Sequence, residues 1–131
     1  MFSPHVIEDK AITAFSVAVG DVDGDDITDV LSASYTYGTI RWYKNNGSGI
    51  FTVNDIYSGA TGARSVAAAD IDGNGVLDVF SASTEDNSIR WFENKNEEGF
   101  RHVQIHLWQV GIVSETSFPL LKRSQAQNNP L

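Results

Sequence analysis

Polar and apolar residues change places quickly along this chain, and no window holds a helical period. Asp29–Tyr35 sets Val30, Ser32 and Ser34 against Leu31, Ala33 and Tyr35. That period of two is what a strand produces, because successive side chains point to opposite faces. Ala14–Val19 is small and apolar, Thr39–Lys44 is β-branched and aromatic, and Phe51–Tyr57 alternates again. Between the last two lies Asn45-Asn46-Gly47-Ser48-Gly49. Asn and Gly tolerate the positive φ of hairpin turns, so this is a strong hairpin signal. A second set of segments follows: Arg64–Ala69, Asp78–Ser83, Ser88–Glu93 and Phe100–His106. The prediction is eight short strands and an all-β fold.

The second set copies the first. A shift of 49 residues aligns Ala14 with Ala63, Ser16 with Ser65, Val17 with Val66, Ala18 with Ala67, Asp21 with Asp70 and Asp29 with Asp78. It also aligns Ser32-Ala33-Ser34 with Ser81-Ala82-Ser83 and Ile40-Arg41-Trp42 with Ile89-Arg90-Trp91. Phe2, Phe51 and Phe100 form one column, and Ile7, Ile56 and Ile105 another. Four antiparallel strands at a period of about 40–50 residues mark a β-propeller blade. The strand compositions agree. Ala14, Ala18 and Ala67-Ala68-Ala69 suit a crowded inner strand, and Trp42, Tyr43, Trp91 and Phe92 suit a third strand where blades diverge. The alternatives are a stacked solenoid or a sandwich. The expected organisation is two repeats over 1–106, about 2–50 and 51–106, then a divergent and poorly ordered tail over 107–131. Two blades are an incomplete propeller, since closed rings have at least about four.

The link between the first two strands of each repeat carries the chemistry. It reads Asp21-Val-Asp23-Gly-Asp25-Asp-Ile-Thr-Asp29 in repeat one and Asp70-Ile-Asp72-Gly-Asn74-Gly-Val-Leu-Asp78 in repeat two. Side-chain oxygens stand at positions 1, 3, 5 and 9 of both. Ca²⁺ takes about 6–8 oxygen ligands in loose geometry. A tightly turning loop can aim positions 1, 3 and 5 inward, position 9 can close the cage, and a backbone carbonyl near position 7 (Ile27, Val76) can add another donor. The plain alternative is an Asp/Gly turn. It does not explain why the last Asp recurs. Nor does it explain why Asp21, Asp23, Asp25, Asp26 and Asp29 crowd together, since close like charges are destabilising unless a cation sits among them. An EF-hand fits poorly, because position 12 is Ser32 or Ser81 where a Glu is required, and the flanks are strands. The expectation is about two Ca²⁺ ions.

Composition narrows the function. Net charge is −8, and eight of the seventeen acidic residues lie in the two loops. The acidity is thus concentrated, and it argues against nucleic acid, whose binding needs a positive footprint. No run of about 20 apolar residues could span a membrane. Met1-Phe2-Ser3-Pro4-His5 lacks the basic start and apolar run of a signal peptide. Cysteine is absent, which removes disulfides, thiol nucleophiles and zinc–thiolate sites. His102 and His106 are four apart, a strand separation of about 13 Å, too far for one ion. No nucleophile elbow or phosphate loop is present, so no enzyme is expected. Arg41-Trp42-Tyr43 and Arg90-Trp91-Phe92 could stack on sugars if exposed, but repeated aromatics suit blade core better. Asn46-Gly47-Ser48 is a glycosylation sequon in an accessible turn.

The acidic loop, the Asp-Val-Leu-Ser-Ala-Ser strand after it, and Thr39-Ile-Arg-Trp-Tyr leading to Asn45-Asn46-Gly47-Ser48-Gly49 together resemble the FG-GAP/VCBS repeat. That repeat builds the propellers of integrin α-subunit heads and of many secreted or surface proteins. The resemblance covers roughly residues 2–106. It implies Ca²⁺ in each loop, held by Asp21, Asp23, Asp25 and Asp29 and by Asp70, Asp72, Asn74 and Asp78. It also implies closure at around seven blades, an extracellular or cell-surface setting, and adhesion or binding of protein or carbohydrate ligands. The chain departs from the pattern in two places. Position 6 is usually Gly, as in Gly75, but is Asp26 in repeat one. A third loop is due at position 119, where Pro119 stands. The other functional expectation is a self-assembling module that completes a propeller by oligomerisation, through blade edges and faces left open.

Overall fold

A computed structural model describes residues 1–96 and 99–105. They form eight strands: β1 (Ala14–Gly20), β2 (Asp29–Ser34), β3 (Thr39–Asn45), β4 (Phe51–Tyr57), β5 (Ala63–Ala69), β6 (Asp78–Ser83), β7 (Ser88–Asn94) and β8 (Phe100–Ile105). No α-helix occurs among the described residues, and none of their segments is a helix long and apolar enough to cross a membrane. The strands make two sheets in the orders β1-β2-β3-β4 and β5-β6-β7-β8, antiparallel throughout. These are two propeller-like blades. The sequence boundaries hold to within a residue or so. The expected tail over 107–131, His106 and the empty third-loop position lie outside the described residues.

The two blades share a register. Ser32 faces Val17 and Arg41 in the first sheet, and Ser81 faces Val66 and Arg90 in the second. Both inner strands carry an irregularity at the same place, between Ala14 and Ser16 and between Ala63 and Ser65. The β2–β3 hairpin turns at Gly38, with φ of 59°. A side chain there would come within 3.0 Å of the Ala60 backbone, and the Gly38 carbonyl accepts a hydrogen bond from the Ala60 N–H at 2.9 Å. Glycine thus lets the tip of blade one touch the linker into blade two.

The core lies between the blades. β1 and β2 pack on β5. Leu31, Ala33 and Ile40 of blade one are fully buried with Val66, Val79 and Phe92 of blade two, and Ala18, Trp42 and Tyr57 close the sides. Each large side chain so buried contributes about 1.5–3 kcal/mol. One face of blade one therefore meets the opposite face of blade two. Of the small inner-strand residues, Ala18, Ala63 and Ala68 pack at that contact, whereas Ala14, Ala67 and Ala69, expected in a crowded inner strand, are exposed because only one side of each blade is covered. Tyr43, Trp91 and Phe92 are buried and Trp42 is partly buried against the core with its ring edge-on to Phe100, so the third-strand aromatics serve chiefly as core. The buried Arg90 guanidinium sits 5.2 Å from the Tyr57 ring and pairs with Asp86 at 2.6 Å. Arg64 lies 5.1 Å from the Phe15 ring and 5.2 Å from the Tyr35 ring across the interface, and the Tyr35 hydroxyl donates to Glu85.

Candidate metal centres

The two acidic loops fold the same way. Asp21 stands just after β1, and its carboxylate gathers the loop amides. Oδ1 accepts from Gly24 N at 2.8 Å and Asp25 N at 3.1 Å, and Oδ2 accepts from Asp26 N at 2.8 Å. Asp70 does the same for Gly73, Asn74 and Gly75 at 2.9, 3.1 and 2.9 Å. Such a curl needs positive φ at positions 4 and 6. Gly24 and Gly73 supply it at 80° and 75°, Gly75 at 91°, and Asp26 at 66°. Asp26 thus takes the left-handed conformation that Gly takes in repeat two. Asp enters that region more readily than most residues.

The ninth-position carboxylates are fully buried at the starts of β2 and β6. Asp29 accepts from Val22 N at 3.1 Å and from Asn45 N, at the end of β3, at 2.8 Å. Asp78 accepts from Ile71 N at 3.2 Å and Asn94 N at 2.8 Å. Each ties its loop to the third strand of its blade. Asp21, Asp23 and Asp29 each place a carboxylate oxygen within 4.8 Å of the others, as do Asp70, Asp72 and Asp78.

The fifth position behaves differently. Asp25 stays outside the three-carboxylate group. Its Oδ1 accepts from Ile27 N at 2.9 Å, and its Oδ2 lies 3.6 Å from Lys44 Nζ. Asn74 Oδ1 accepts from Val76 N at 3.0 Å, while its amide donates to Asp72 Oδ2 and the Asn94 carbonyl, both at 3.3 Å. The fifth-position oxygens thus shape the turn.

The donor sets fit a hard divalent cation. They are all oxygen, carry several negative charges and leave unused capacity. Asp23 Oδ1 is buried and receives no hydrogen bond among the described residues. In loop two, partial desolvation and then the charges of Asp78 and Glu93 hold the Asp72 carboxyl above the usual carboxylate range, against an opposing hydrogen bond from Asn74. The carboxylates there repel one another, and the Asp72 charge in turn helps raise the pKa of Lys95. In loop one an ammonium bonds a loop carboxylate directly. Lys44 Nζ bonds Asp23, and that bond raises the ammonium's pKa against the opposing effect of desolvation.

The FG-GAP-like repeat model matches residues 21–81, from the first loop to the middle of β6. This stretch is similar to the FG-GAP-like repeat. No curated protein and no solved structure matches the chain. The FG-GAP-like stretch takes in both acidic loops, and its two copies place matched carboxylates at the same points of two blades.

Sequence reasoning missed three contributors. Lys44 is one. The others are Asn45 and Asn94, which follow one another at the repeat interval. Asn45 Nδ2 donates to the Thr28 carbonyl at 3.0 Å. Asn94 Nδ2 donates to the Leu77 carbonyl at 2.9 Å and also, across the blades, to the Val22 carbonyl at 2.8 Å. The signal available was their identical place after the Ile-Arg-Trp run. The sequon residue Asn46 is exposed in its turn, with Oδ1 accepting from Ser48 N at 2.8 Å and Ile50 N at 3.2 Å.

Proposed function

We propose that this chain is a calcium-binding β-propeller-type module whose ions are structural, and that it works by binding a protein or carbohydrate ligand outside the cell or at its surface, without catalysis. The observation that carries the reading is the repeated cage. Three carboxylates converge twice, each time around a fully buried Asp that anchors the loop to the third strand. Asp25, Asn74 and the carbonyls of Ile27 and Val76 are the further oxygen donors of the proposal. The ion neutralises the loop and joins strands one and two of each blade. Since the cage is scattered in the unfolded chain, binding free energy adds to folding free energy, by about 2.7 kcal/mol at a hundred times Kd. The test is thermal unfolding in millimolar Ca²⁺ and in excess chelator. A melting temperature that rises with Ca²⁺ and falls back with chelator supports the reading, and identical curves refute it. Glycan-array binding abolished by chelator would select a carbohydrate ligand.

A second reading, self-assembly, is favoured by a mismatch between equivalent positions. Val66 is 5% exposed in the blade interface, but Val17 at the same place in blade one is 70% exposed. On the opposite face Ile40 is fully buried, but its equivalent Ile89 is 46% exposed. Each outer face repeats a surface that its sister blade covers, so the contact is head-to-tail and can propagate. Solution mass with and without Ca²⁺ tests this: a defined oligomer supports it, and a monomer at all concentrations rejects it.

A further inference from the structure

The two loops differ at one repeat position outside the acidic motif. Lys44 in β3 and Glu93 in β7 are 49 residues apart, so they occupy the same point of their blades. Each directly precedes the Asn whose N–H holds the buried ninth-position carboxylate. Their backbones are therefore fixed beside the cage by a strand, while their charges are opposite. Lys44 Nζ bonds Asp23 Oδ2 and lies 3.6 Å from Asp25 Oδ2. Glu93 pairs with Lys95, outside the three-carboxylate group of loop two.

We propose that Lys44 is a built-in competitor for the cation of loop one: its ammonium neutralises Asp23 and Asp25 when no ion is bound, and an incoming Ca²⁺ must displace it. This rests on the calcium reading above and specifies how one of its two sites is regulated. The side chain is 43% exposed and Asp23 only 18%. The ammonium can therefore swing out to water, while the carboxylate stays in place for the ion. Asp23 offers a second oxygen, Oδ1, that Lys44 leaves unused. At the equivalent point of loop two Glu93 adds negative charge, and Lys95, whose ammonium feels the Asp72 charge, is paired with Glu93 and makes no bond to a loop-two carboxylate among the described residues. Lys44 thus offsets one of the five carboxylate charges of loop one when no ion is bound, whereas the equivalent position of loop two adds a negative charge.

Two effects of Lys44 then oppose each other. Removing its charge should weaken the ion-free fold and tighten the ion-bound one. A lysine with a purely structural role gives the first effect without the second. Calcium titration calorimetry on the full chain distinguishes them, with Asp72→Asn as the background that weakens loop two so that loop one is read alone. Lys44→Gln in that background should tighten binding about tenfold, equivalent to about 1.4 kcal/mol, and lower the melting temperature in chelator. Glu93→Lys in the otherwise unchanged chain should weaken one of the two binding events by a similar factor. An unchanged or weaker affinity for Lys44→Gln overturns the competitor role, even with Ca²⁺ still bound by the unsubstituted chain. Absence of Ca²⁺ binding by every variant and by the unsubstituted chain overturns the calcium reading and this inference together.

Discussion

Asp29 is the strongest test of the argument, because one side chain holds the loop, the strand and the proposed cage. It is fully buried, and its two oxygens accept from Val22 N and Asn45 N. Asp29→Ala leaves two backbone donors without their acceptor. Hydrogen bonds to a charged group contribute about 1.5–3 kcal/mol each, and a buried donor left unmade costs about 1–3 kcal/mol. Water can reach the partly buried Asn45 N more easily than Val22 N, so the expected loss is about 3–4 kcal/mol. Against a total stability of about 5–15 kcal/mol this is severe. Asp29→Asn keeps one acceptor oxygen and should lose about half as much. Urea unfolding in excess chelator, followed by tryptophan fluorescence, measures the hydrogen-bond part alone. Repeating it in Ca²⁺ should widen the gap from the unsubstituted chain, since one cage is then damaged. A loss below about 1 kcal/mol for Asp29→Ala in chelator, less than even one such bond is expected to contribute, would refute the claim that this carboxylate pins the loop to β3.

Two further outcomes follow from local structure. Asp26→Gly removes a side chain from a backbone at φ of 66° and one charge from a crowded loop. It should raise the urea midpoint in chelator by an amount equivalent to about 0.5–1 kcal/mol, whereas Asp26→Val should lower it. His102 lies 4.6 Å from the Tyr57 ring and 5.4 Å from the Phe92 ring, and burial together with the Arg90 charge lowers its pKa below 6.5. At pH above about 6.5 the imidazole is neutral in both the folded and unfolded chains, and as pH falls through that value the unfolded chain takes up the proton first. Stability should therefore drop on acidification through that window, and Glu or Asp titration is removed by comparing the pH profile with that of His102→Gln. A profile unchanged by the substitution would contradict the assignment.

Much of the blade was legible in the sequence because it is local. Period-two alternation places Leu31 and Ala33 on one face whatever surrounds them, and the Asp-Gly spacing curls the loop by its own amide bonds. The left-handed turn at Asp26 was readable from Gly75 alone. What could not be read is how one blade sits on the next. Phe15 and Arg64 match in the repeat, but nothing in the linear pattern shows that Arg64 lies over the rings of Phe15 and Tyr35 across the interface. The reach of Asn94 to Val22 depends on an interblade offset that no linear spacing encodes. Lys44 escaped notice for a related reason. It lies 15 residues beyond the acidic motif, and only strand pairing returns it to the loop.

The bond from Asn94 to Val22 bears on how the two loops communicate. Asp29 holds the N–H of Val22, Asn94 holds the carbonyl of Val22, and Asp78 holds the N–H of Asn94. A single relay of three hydrogen bonds therefore runs between the two buried ninth-position carboxylates, crossing from one blade to the next through one fully buried residue. If both loops hold an ion as proposed, binding to one should alter the affinity of the other, and two independent binding events would show that the relay carries no coupling.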